Sequence, residues 1–119
     1  MIETLVNGLM IIIALEHFGF MVLEMWLWDK PVGRRVFRLD EAFAQSTRVL
    51  AANQGLYNGF LAAGLLWAVI ESSLSLKVFF LACVFVAGVF GGVTVGRKIL
   101  WIQGLPALTA LFLILIETI

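Results

Sequence analysis

Val78-Phe79-Phe80-Leu81-Ala82-Cys83-Val84-Phe85-Val86-Ala87-Gly88-Val89-Phe90-Gly91-Gly92-Val93-Thr94-Val95-Gly96 runs without a single charge. A helix rises about 1.5 Å per residue, so roughly 20 such residues cross the hydrocarbon of a bilayer. Outward from this stretch, residues 99–116 and 49–70 are also free of charge. Residues 5–27 are equally apolar except for Glu16, His17 and Glu24. In lipid a backbone must satisfy its own polar groups, which makes each span a helix. The expected fold is all-α: a polytopic membrane protein with a four-transmembrane-helix bundle. It forms one domain over residues 1–119, with helices at about 3–28, 47–70, 76–96 and 99–117. The start Met1-Ile2-Glu3 has no basic region and no small-residue cleavage site follows, so the first helix is not read as a signal peptide.

The composition agrees. Hydrophobic residues make up 62% of the 119 positions and charged ones 13%, against about 45–50% and about 25% in soluble domains. The mean hydropathy is +1.05. This excludes a soluble globular enzyme, a disordered tail and a nucleic-acid binder with a basic face. Eight basic and eight acidic residues cancel, so charge points to no polyanionic partner. With Cys83 as the one cysteine and His17 as the one histidine, neither an internal disulfide nor a multi-histidine metal centre can form within one chain.

Residues 29–48 carry Lys30, Arg34, Arg35, Arg38 and Arg48, and the third loop carries Arg97 and Lys98. Those two loops share one side of a four-span protein and hold seven of its eight basic residues. The positive-inside rule puts them in the cytoplasm of a bacterial-type plasma membrane, with both termini outside. Pro31 and Gly33 are expected to end the first helix. Val36, Leu39 and Phe43 then recur among charges at helical spacing, as in a short amphipathic segment lying at the membrane surface. Asp40 suits the cap of the helix that follows.

Two small-residue stripes, Gly88-Gly92-Gly96 and Gly55-Gly59-Ala63, read as helix contact faces. Packing within the chain is the first reading and an oligomer contact the second. The polar groups within the apolar spans need more explanation, because each ionisable one costs about 2.5–3.5 kcal/mol to insert. Glu16, His17 and Glu24 lie on the first helix, Asn53, Gln54, Tyr57 and Asn58 on the second, and Gln103 on the fourth. Helical rise counted from Trp28 and Thr47 puts His17 level with Tyr57 and Asn58, and Glu24 nearer the inner face with Gln103. Glu24 alone reads as a snorkelling acid, His17 alone as a buried neutral ring, and the amides as interhelical glue. Two acids, a histidine, a phenol and four amides together point to a polar pocket. In that pocket His17, Glu16 and Tyr57 carry any chemistry, while Glu24, Asn53, Gln54, Asn58 and Gln103 hold a small apolar ligand or cofactor. The expected partners are membrane lipids and further copies of the chain.

Several motifs look familiar: Leu15-Glu16-His17, Leu23-Glu24-Met25, Gly33-Arg34-Arg35-Val36-Phe37, the run Asn53-Gln54-Gly55-Leu56-Tyr57-Asn58-Gly59-Phe60-Leu61-Ala62-Ala63-Gly64, and Gln103-Gly104-Leu105-Pro106-Ala107. On them the chain resembles domain-of-unknown-function family 1304 over nearly its whole length. The resemblance implies a small four-helix membrane protein and no particular activity. A second similarity is to styrene oxide isomerases, four-helix oligomeric enzymes that hold haem b between subunits. It rests on the Asn53–Gly59 run and the Asn53/Tyr57 spacing, and implies haem as the cofactor, with His17 as the residue able to meet its iron. The iron-ligand histidine of that family does not carry over, because Asn53 stands at the best-matching position. Three functions therefore compete: an isomerase-like or ligand-binding pocket, a structural or accessory membrane subunit, and a small proton-coupled exporter using Glu16.

Overall fold

The computed structural model describes residues 1–119, and its regular structure is helical throughout. We number the helices α1 (Ile2–Met25), α2 (Pro31–Phe37), α3 (Glu41–Ile70), α4 (Leu74–Thr94) and α5 (Arg97–Thr118). Three of them, α1, α4 and α5, are long and apolar enough to cross a membrane. α3 is the longest at 30 residues, about 45 Å of rise. It falls outside that apolar set because Asn53, Gln54, Tyr57 and Asn58 interrupt it.

The first connection differs from its sequence reading. α1 ends at Met25 rather than near Trp28, and Lys30 N–H donates to the Leu27 carbonyl across a turn. Pro31 opens α2 instead of ending α1. Its missing N–H is not needed in a first helical turn, and its fixed φ suits one. Gly33 is buried in α2, where a Cβ would overlap the Leu27 carbonyl oxygen. Arg38 closes α2 in the left-handed conformation (φ 56°), with its N–H bonded to the Arg34 carbonyl. Asp40 then caps α3 as its position suggested: the Phe43 N–H donates to Asp40 Oδ1 at 2.8 Å. α3 therefore starts at Glu41, well before residue 47, and absorbs Phe43.

α5 contains a π-helical turn at Leu100–Gly104, in which the Leu105 N–H reaches back to the Leu100 carbonyl. Pro106 explains the widening. It offers no N–H to the Ile102 carbonyl, and its ring would press on that carbonyl in a regular α-helix.

The chain groups into two compact units, Met1–Ala14 with Ala63–Ile119, and Leu15–Ala62. In the first unit α4 and α5 approach until backbones touch. A Cβ on Gly88 would lie 2.5 Å from the Gly104 nitrogen, and Gly92 faces Leu100. The α4 glycine stripe is thus used within the chain at Gly88 and Gly92, whereas Gly96 has nothing nearby. Val6, Met10, Leu65, Leu81, Val84, Ala107 and Ala110 are buried in this unit. In the second unit Gly55 sits against Met21, Glu24 and Met25, and Gly59 against Met21. Trp28 Nε1 donates to Thr47 Oγ1 at 3.0 Å, and its ring leans on Phe37 at 4.8 Å.

Candidate functional site

The second unit holds a polar contact between α1 and α3 within its apolar packing. Glu24 is 4% exposed. Its Oε1 accepts a hydrogen bond from Asn58 Nδ2 at 2.7 Å. The local sequence explains how they meet, because Gly55 and Gly59 have no side chains to hold α3 away from α1. Close to the end of α1, Asp29 pairs with Arg48 at 3.6 Å and accepts from Gln45 Nε2 at 3.5 Å. Charged and polar groups are thus graded along this unit, from the Asp29–Arg48 ion pair to the enclosed acid–amide bond.

The glycine contacts fix the antiparallel register of α1 and α3. Gly55 faces Glu24 and Gly59 faces Met21, so one turn further sets His17 opposite Ala62. Both residues are fully buried. His17 also meets Phe20 edge to face at 5.4 Å. The sequence count had matched His17 to Tyr57 and Asn58. That count levels the two helices at Trp28 and Thr47, whereas the glycine contacts set α1 about one turn further along α3. Glu16 is half-buried, and its Oε1 is shielded from solvent with no hydrogen-bond partner.

The remaining candidates lie elsewhere. Tyr57 is 59% exposed and stacks edge to face with Phe60. Asn53 and Gln54 are exposed on α3. Gln103 belongs to the other unit, half-buried in the π-helical turn. The structure therefore unites Glu24 with Asn58 and buries His17 beyond them, while Asn53, Gln54 and Tyr57 form an outward polar face.

An apolar depression of about 540 Å³ runs along α4, lined by Phe79, Ala82, Cys83, Val86, Ala87 and Phe90. A cavity of about 250 Å³ is lined by Glu3, Lys77 and Glu117 among others. His17, Glu24 and Asn58 are not among the lining residues of either. Haem does not fit these residues. An axial histidine needs open space for the macrocycle on its ligating side, whereas His17 is enclosed on all sides by its own chain. No group of three His, Cys, Asp or Glu residues stands together as a metal site would require.

Sequence reasoning passed over Lys77 and Glu3. Lys77 read as a loop charge, but it is 5% exposed and bonded to Glu3 Oε1 at 3.3 Å. Its isolation as the lone basic residue away from the two basic loops was the available signal.

The profile of the family described as "Protein of unknown function (DUF1304)" matches residues 11–115. The chain belongs to that family. It is 34% identical over 107 residues to the uncharacterized protein YpaA of Lactococcus lactis subsp. lactis (strain IL1403), across 87% of this chain and 90% of that protein. No solved structure matches it.

Proposed function

We propose that the protein crosses a bacterial-type plasma membrane four times, with both termini outside, and binds a small, largely apolar ligand at Glu24 and Asn58. α3 supplies the fourth crossing. It lies along the second half of α1 at Gly55 and Gly59, so it shares the depth of a helix apolar enough to span. The basic loops then fall together on the cytoplasmic side. In that setting the outward face of Asn53, Gln54 and Tyr57 would be costly against hydrocarbon, and other copies of the chain cover it.

The observation that carries the reading is the enclosed Glu24–Asn58 bond. Asn58 keeps an amide hydrogen and its carbonyl oxygen, and Glu24 keeps a second oxygen, so the pair can still grip a polar head. A ligand with an apolar body and one hydroxyl, amine or ether-type oxygen matches that chemistry. A second reading, a structural subunit in which the pair only joins helices, is favoured by the enclosure of Glu24, which lines neither cavity.

The test is mass analysis of small molecules that copurify with the protein in mild detergent. The wild type should carry a ligand that Glu24→Gln loses by roughly tenfold, the equivalent of about 1.4 kcal/mol. A ligand-free wild type, or equal retention by a folded Glu24→Gln, leaves the structural reading in its place.

A further inference from the structure

The 250 Å³ cavity of the first unit lies where α1 and α4 begin and α5 ends. Its apolar floor includes Val6 and Ile114, and its polar wall includes Ser72, Lys77 and Glu117. Ser72 holds a left-handed φ of 50° in the short turn between α3 and α4. Ser73 follows as the cap of α4, accepting the Leu76 N–H at 3.3 Å.

Two charges here oppose their own helices. Lys77 sits in the opening turns of α4, near its positive end, and Glu117 in the last turn of α5, near its negative end. A helix macrodipole disfavours both placements. Each charge instead adds to its helix's field, so the cavity has a positive end at Lys77, partly offset by Glu3, and a negative end at Glu117. Lys77 is nearly enclosed, yet its three ammonium donors have a single acceptor, Glu3 Oε1. Glu117 is exposed at the rim.

A simple anion entering this cavity would meet the carboxylates of Glu3 and Glu117. A simple cation would meet the Lys77 ammonium. We infer that the cavity binds a small zwitterion, with its anionic group on Lys77 and its ammonium on Glu117. The chemistry is that of a primary amine joined by a short linker to a phosphate or carboxylate. It comes either as the head group of an aminophospholipid or as a free solute. The site stands on α1, α4 and α5 and is independent of Glu24.

The full-length protein provides the test, with two probes. In native mass spectrometry, detergent-solubilised protein is offered phosphatidylethanolamine or phosphatidylglycerol of matched chains. In thermal unfolding, it is offered soluble O-phosphoethanolamine. Preferential retention of the ethanolamine lipid by roughly tenfold, abolished in Glu117→Gln, supports the site with a lipid as occupant. Stabilisation by O-phosphoethanolamine that Glu117→Gln abolishes, without a lipid preference, supports it with a free solute. The rim position of Glu117 lets that variant fold, and Lys77→Met should repeat its effect. Neither response in the wild type, or a response unchanged in Glu117→Gln, overturns the proposal.

Discussion

Glu24 and Asn58 show what a single hydrogen bond decides in an apolar setting. Removing the donor leaves an enclosed carboxyl oxygen without its partner, which costs about 1–3 kcal/mol. Replacing both partners with apolar groups restores a compatible pair. Asn58→Leu should therefore lower the unfolding midpoint in detergent, and the double variant Glu24→Leu/Asn58→Leu should recover most of the loss. Additive losses would show that the bond does not couple the two residues. Both side chains stood out in the sequence because polar groups in apolar spans are expensive. Their pairing was not legible. It depends on the register of α1 against α3, which the close approach at Gly55 and Gly59 sets and which depths counted from Trp28 and Thr47 do not give. That register puts His17 at the level of Ala62 rather than Tyr57.

Among the elements, α4 and α5 depend most on small residues. A Cβ on Gly88 would collide with the backbone nitrogen of Gly104. Backbone cannot rotate aside as a side chain can, so the helices must part. Gly88→Ala should cost about 1–3 kcal/mol in thermal or denaturant unfolding. Gly96→Ala meets nothing and should stay within about 0.5 kcal/mol of the wild type. Equal effects at the two positions would contradict the contact. The glycine stripes were readable as contact faces, because close helix approach in lipid requires small residues. Which helix each one meets was not readable. That depends on tertiary pairing and on the π-helical turn that brings Gly104 to Gly88. The helical class was evident from charge-free runs, and Asp40 announced the start of α3. Pro31 misled because proline ends one helix and begins another with equal ease.

For the whole molecule, the question is how many helices cross the membrane. α1, α4 and α5 qualify by length and apolarity, and α3 by length alone. The polar residues that weaken α3 as a span are the ones that make it interesting as a site, so hydropathy and function pull its reading in opposite directions. If α3 crosses, Asn58 and Glu24 lie within the bilayer and the outward polar face needs a protein neighbour. If it lies outside, the pair is an ordinary buried contact. The number of crossings also fixes the termini: four put them on the same side and three on opposite sides. Fusing each terminus in turn to a reporter enzyme active only outside the cytoplasm, and to a fluorescent protein that folds only inside, decides between these. The four-span account predicts that both termini activate the external reporter. Termini on opposite sides of the membrane would contradict it.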